Sequence, residues 1–160
     1  MAKVINIGIS ACLLGQAVRY DGAHKRCDLL LSRIGPEVRW LAVCPEVEAG
    51  FGVPRAPVEL SRVGGAVRLI TVDGGRDLTD TMQRWLDLRV NELAAANLSG
   101  YVFKSRSPSC GLHPDGEVGR GMFAAALIDR LGDVPVAEEA ELTDVAACDE
   151  FLARVRRYRG

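Results

Sequence analysis

Three extended apolar runs in this chain each lead to a cysteine, and that arrangement narrows the folds open to it. Val4 to Ile9 is rich in β-branched residues and is bounded by Ser10, Ala11 and Cys12, the pattern of a strand buried on both faces. Val38 to Val43 runs directly into Cys44 and Pro45, where the missing proline N–H bars an ordinary central-strand continuation. Gly100 to Lys104 reads as another strand, and Cys110 follows it after a serine-rich turn.

Helical patterns lie between these runs. Asp28 to Ile34 forms a short one, halted by Gly35 and Pro36. From Thr79 to Ala96 the apolar residues Met82, Trp85, Leu86, Val90 and Leu93 recur at helical spacing, with Asp77 or Thr79 as the N-cap and Asn97 near the C-cap. Gly50 to Pro57 is irregular, and Ala66 to Val72 is a further strand before the turn at Asp73-Gly74-Gly75. Helices over Met122 to Leu131 and Asp144 to Tyr158 flank a short strand at Val134 to Val136. This alternation predicts an α/β fold, a single domain over residues 1–160 with a mostly parallel, Rossmann-like sheet flanked by helices. Right-handed crossovers bring the carboxyl ends of such strands to one edge, where open α/β sheets bind ligands. Cys12, Cys44 and Cys110 are therefore expected to converge.

Twenty Lys+Arg against 21 Asp+Glu give a net charge of −1, which supplies no global field for a polyanion or an anionic membrane. No stable nucleic-acid partner is expected. No apolar run approaches the roughly 18 residues of a membrane helix. Met1-Ala2-Lys3 leads straight into a β-branched run rather than a signal-peptide core, so a cytoplasmic location is the expectation. Five cysteines are odd in number and too sparse for a secreted disulfide scaffold, which leaves metal binding, thiol chemistry or burial. Cys148 shares an apolar helical stripe with Val145, Leu152 and Val155 and is assigned to the core. Cys27, between Arg26 and Asp28, fits a spare thiol, a fourth ligand or a buried residue.

The absence of a Cys-x-x-Cys pair argues against structural zinc, although His24 or His113 would complete such a site. Three thiolates without an evident fourth partner fit a [4Fe-4S] cluster held at three irons, its fourth iron open to substrate. A cysteine nucleophile is a third possibility and would need His24 or His113 beside it as base.

Three segments carry a more specific signal: Ser10-Ala11-Cys12-Leu13-Leu14-Gly15 with Val18-Arg19-Tyr20-Asp21-Gly22; Cys44-Pro45-Glu46-Val47 with Gly52-Val53-Pro54-Arg55; and Lys104-Ser105-Arg106-Ser107-Pro108-Ser109-Cys110-Gly111. Together, over about Val4 to Met122, the chain resembles the DUF523 family, which includes a thiouracil desulfidase. The resemblance implies an oxygen-sensitive [4Fe-4S] enzyme that replaces the sulfur of a thiolated pyrimidine, as base, nucleoside or nucleotide, with oxygen from water. It implies Cys12, Cys44 and Cys110 as cluster ligands, and Glu46 and Ser105 as catalytic, substrate-contacting residues. Ala49 and Phe51 stand where the family commonly has Gly and Leu, a departure that bears on substrate fit.

The residues themselves support more than one role. Glu46, two positions from Cys44, suits a base that activates water, or a cap on a turn after Pro45. Ser105 either hydrogen-bonds the substrate's base edge or joins Ser107 and Ser109 in satisfying loop backbone groups. Asp21 is either a second substrate-binding group or an Asx-turn residue before Gly22. Arg19, Lys104, Arg106 and Arg120 suit a nucleotide phosphate, or are solvated cations. Gly116 to Gly121 is spaced Gly-x-x-Gly-x-Gly, which is not the dinucleotide fingerprint. Gly111 to Gly121 is expected to be a mobile loop over the site or a plain connector.

Overall fold

In the computed structural model, residues 4–112 and 119–159 are described. The chain runs β1 (Asn6–Ser10), α1 (Asp28–Arg33), β2 (Arg39–Val43), α2 (Pro45–Glu48), β3 (Val58–Val63), β4 (Ala66–Thr71), α3 (Thr79–Ala95), β5 (Leu98–Phe103), α4 (Met122–Leu131), β6 (Val136–Glu138) and α5 (Val145–Arg159). Four of the strands form one sheet in the order β2-β1-β5-β6, parallel at every pairing. The fold is thus α/β with a parallel sheet flanked by helices, as the alternating pattern predicts.

Handedness explains the layers. α1 carries the chain from β1 outward to β2, whereas α4 carries it from β5 outward the other way to β6. A single crossover hand then puts these two helices on opposite faces. Leu30 of α1 packs with Ile7, Ile9 and Val102 of the sheet and with Phe151, Leu152 and Val155 of α5. On the other face Met82, Leu86 and Leu93 of α3 join Phe123 and Leu127 of α4 against Val43, Tyr101 and Phe103. Successive strand residues point to opposite faces, so β5, buried along its whole length, feeds both cores.

Close approach to the central strands fixes two glycines. A Cβ on Gly8 of β1 would lie 2.3 Å from the Tyr101 ring, and one on Gly100 would lie 2.8 Å from Val155 Cγ2. Gly8 therefore lets the aromatic cluster of Tyr101, Phe103 and Phe123 lie against the sheet, and Gly100 lets α5 dock.

The structure departs from the sequence reading in detail. β3 was not expected; it pairs antiparallel with β4 in a separate two-stranded sheet, with Val63 opposite Ala66. Gly64 and Gly65 make the turn, both at positive φ (59° and 84°), as a primed two-residue hairpin requires. The last strand begins at Val136 and not at Val134, and the N-cap of α3 is Leu78. Asp77 Oδ1 accepts from Thr79 N–H (2.9 Å), while the Thr79 hydroxyl is drawn sideways to accept from Leu69 N–H (2.7 Å). Tertiary contact with β4 takes the group that local pattern assigned to the cap.

Gly8→Ala should destabilise the protein by about 1–3 kcal/mol, since the added methyl must displace a fully packed ring. Urea unfolding of the variant against wild type measures this.

Candidate active site

The order β2-β1-β5 brings the three cysteine-bearing turns side by side. Cys12 sits in the 3-10 turn Ala11–Leu14 that follows β1, closed by Gly15 at φ 94°. Cys44 precedes α2, whose first residue is Pro45, a position where the missing N–H costs no helix bond. The Cys44 N–H is taken by Glu48 Oε2 at 3.2 Å. Cys110 lies in a turn built on Ser107, whose Oγ accepts from the N–H groups of Ser109 (3.2 Å) and Cys110 (3.0 Å). Two glycines clamp that turn. A Cβ on Gly111 would meet Ser107 O at 2.7 Å, and one on Gly121 would meet Ser109 O at 2.5 Å. The start of α4 caps it, with Phe123 N–H and Ala124 N–H donating to Ser109 O at 3.0 and 3.1 Å.

All three cysteines line one cavity of about 450 Å³. Burial pushes the Cys12 thiol up to about 11 against the pull of Lys104, and the Cys44 and Cys110 thiols are raised by burial as well. Cys110 feels the charge of both other thiols, and a hydrogen bond from Ser10 opposes its rise. Ser10 also joins the strand ends, accepting from Lys104 N–H at 2.9 Å. All five cysteines are free.

This donor set fits an iron–sulfur cluster better than a single ion. Among the described residues, no group of three or more His, Cys, Asp or Glu side chains is gathered tightly enough to hold one metal ion. Ligands of a single zinc must crowd around one atom, whereas cluster cysteines bind different irons and stand further apart. Three soft thiols lining one cavity, raised by burial and in need of positive charge to ionise, suit the second case. His24 is exposed, its Nδ1 accepting from Arg26 N–H at 3.1 Å, and it does not line the cavity. His113 lies outside the described residues.

Two carboxylates hold the polar part of the site, and each is gripped by one cation and one serine. Glu46 Oε1 accepts from Arg55 Nε (3.0 Å) and Oε2 accepts from Ser109 Oγ (3.1 Å). Arg55 also donates to Val18 O and Gly52 O at 2.8 and 2.9 Å, tying Glu46 to two loops. Glu139, which is not itself on the lining, holds two residues that are: its Oε1 accepts from Lys104 Nζ (3.2 Å) and from the Ser105 hydroxyl, while Oε2 accepts from Ser105 N–H (2.7 Å). Sequence reasoning quoted Arg55 without giving it a role and missed Glu139. The strand-end rule would have found Glu139, which directly follows β6.

Cys12, Cys44, Cys110, Glu46, Ser105, Arg19, Lys104 and Arg106 all reach the cavity, and Lys25 joins them. The Arg19 guanidinium lies 5.7 Å from the Tyr20 ring centroid. Asp21 does not reach it. Its Oδ1 accepts from Ala23 N–H at 2.9 Å, the Asx-turn alternative. Arg120 is exposed and outside the lining. Cys148 is fully buried in the core beside α1, with half-buried Cys27 packed against the same cluster. Of the segment Gly111 to Gly121, residues 113–118 lie outside the described residues, and its two ends are pinned by an N–H of Gly121 to Gly111 O at 2.8 Å.

The fold and the cavity define an α/β protein that presents three thiols and a clamped carboxylate at the carboxyl edge of a parallel sheet. A family model described as 2-thiouracil desulfurase matches residues 7–139, and the chain belongs to that family. It is similar to a solved structure, the [4Fe-4S]-dependent thiouracil desulfidase TudS, at 35% identity and a TM-score of 0.71, covering 91% of this chain and 98% of the other. It is also similar to the uncharacterized protein YbbK of Bacillus subtilis (strain 168), 29% identical over 156 residues, 86% of this chain and 97% of the relative.

Arg55 and Glu46 form a nearly buried pair, their side chains 7% and 13% exposed. Arg55→Met should cost about 3–5 kcal/mol, because it leaves a nearly buried carboxylate without its cation and held by Ser109 alone. Denaturant unfolding reads this directly, with Arg55→Lys, which keeps the charge but not the fork, losing less.

Proposed function

We propose that this protein is a [4Fe-4S]-dependent thiouracil desulfidase, a single-domain enzyme that converts the C=S of a thiolated pyrimidine to C=O with water and releases sulfide. The observation that carries the reading is the convergence of Cys12, Cys44 and Cys110 on the cavity that also holds Glu46 and Ser105. The three thiols, as thiolates, are the ligands, and Lys104 beside Cys12 offsets part of their charge. The cluster when bound supplies a soft Lewis acid for the substrate's sulfur.

The chain's own residues do the rest. Glu46 takes one proton from the water whose oxygen adds to the thiocarbonyl carbon; loss of the second O–H proton then forms C=O as the remaining C–S bond breaks, and both protons leave with the sulfur as hydrogen sulfide. Arg55 and Ser109 fix the carboxylate so that it need not reorganise as charge develops. Ser105 contacts the base edge of the pyrimidine. Arg19, Lys25 and Arg106 on the lining favour a nucleotide over the free base, through its phosphate. Free thiols and an exposed cluster suit a reducing compartment, so the cytoplasm is the proposed location. Among the described residues no helix is long and apolar enough to cross a membrane.

The test is anaerobic reconstitution with iron and sulfide, followed by assay of sulfide release from 2- and 4-thiouracil and their nucleosides and nucleotides. Wild type should gain a broad absorbance near the blue edge of the visible and release sulfide; Cys12→Ser should lose both. Glu46→Gln should keep the absorbance and lose roughly 100-fold or more in kcat. Tetrahedral zinc uptake without turnover would replace this reading with that of a structural metal module.

A further inference from the structure

The hydrogen bonds around Ser105 determine which sign of contact it can offer a substrate. A serine hydroxyl has one proton to donate and two lone pairs with which to accept. Glu139 takes the proton: its Oε1 accepts from Ser105 Oγ while its Oε2 holds the backbone N–H of the same residue at 2.7 Å. Lys104 Nζ donates to Ser105 Oγ at 3.3 Å, and so occupies one lone pair. Lys104 also donates to Glu139 Oε1 at 3.2 Å and to Ser105 O at 2.8 Å, which keeps the carboxylate in its role as acceptor. Both charged side chains are mostly buried, 19% and 16% exposed, so water competes weakly for them. One lone pair of Ser105 is left over, and Ser105 lines the cavity.

We infer that Glu139 is a specificity-determining positioning residue: by consuming the only proton of the Ser105 hydroxyl, it makes Ser105 an acceptor that selects substrates bearing a ring N–H beside the thiocarbonyl. This deepens the desulfidase reading and rests on it. A thiolactam such as thiouracil presents that N–H; an N-alkylated ring or one with a bare ring nitrogen does not. A site with a buried acceptor and no donor to fill it rejects such analogues, since the acceptor is left unpaired. Glu139 touches no substrate in this scheme, because it does not line the cavity and reaches it only through Ser105 and Lys104.

The experiment compares kcat/KM of reconstituted enzyme for a thiouracil that wild type desulfurises with that for its 3-methyl derivative, and in parallel measures binding of uracil and 3-methyluracil by calorimetry. Wild type should prefer the N–H compound by about 100-fold or more. Ser105→Ala sets the steric remainder of that preference. Glu139→Gln should lower the preference about tenfold or more, to near the Ser105→Ala value, with the rise in KM for the parent larger than the fall in kcat, and with the same loss in the uracil binding ratio. Glu139→Asp, which keeps the charge but is one methylene shorter, should fall between Glu139→Gln and wild type, and it decides the matter should Glu139→Gln not fold. An unchanged preference in these variants, or an equal loss for both compounds, overturns the assignment of Glu139 while leaving the desulfidase reading intact. No sulfide release from any thiopyrimidine by the wild-type protein overturns both.

Discussion

Parallel pairing of β1 with a neighbour on each side is the constraint from which the site follows. β1 bonds β2 along Asn6 to Ser10 and β5 along Asn6 to Ile9, so three chain segments far apart in sequence must end at one level. The chain steps outward in opposite directions from β1 and β5, the reversal that opens a crevice between their carboxyl ends. Ser10 fastens that crevice, accepting from Lys104 N–H across the two strands and bonding to the Cys110 thiol. Cys12, Cys44 and Cys110 line the cavity at these strand ends together with Glu46 and Ser105.

The same small device occurs twice at the site. Glu46 is held by Arg55 and Ser109, and Glu139 by Lys104 and Ser105. Each arrangement balances a buried carboxylate with a cation and gives it a hydroxyl, so that neither charge is left unpaired in a poorly solvated place. The pairs differ in what remains available. Ser109 is fully buried and its hydroxyl serves Glu46, whereas Ser105 lies on the lining with one acceptor site left over. Ser107, between them, faces its own backbone and builds the turn that carries Cys110. Alternate serines in one short segment therefore provide a cavity-lining hydroxyl, a turn and a carboxylate clamp.

Much of the scaffold was legible because local pattern and tertiary environment agree. The apolar spacing of Met82, Leu86, Val90 and Leu93 is the buried face of α3, and the β-branched run at β1 is buried on both sides. β3 went unread because Gly50, Gly52, Pro54 and Pro57 precede it and suggest continued irregularity. Yet Val58 and Leu60 alternate with polar residues and Gly64-Gly65 follow, the signature of a two-residue hairpin. The Asp21 side chain, with a turn reading and a site reading, is held by the neighbouring backbone, and Ser107 satisfies loop backbone groups. Nothing in the sequence separates those alternatives, because both use the same acceptor oxygen over a few residues.

By itself, the sequence determined most of the secondary structure, the parallel sheet and the placement of three cysteines after three strands, since these depend on short-range periodicity and on a handedness shared by all proteins. Only the tertiary structure decided which groups meet: Arg55 with Glu46, 9 residues away, Ser109 with Glu46 across 63, and Glu139 with Ser105 across 34. The reason is physical. A hydrogen bond selects its partner by distance in space and by the need of a buried charge to be satisfied, and neither quantity is encoded in the spacing of letters along a chain.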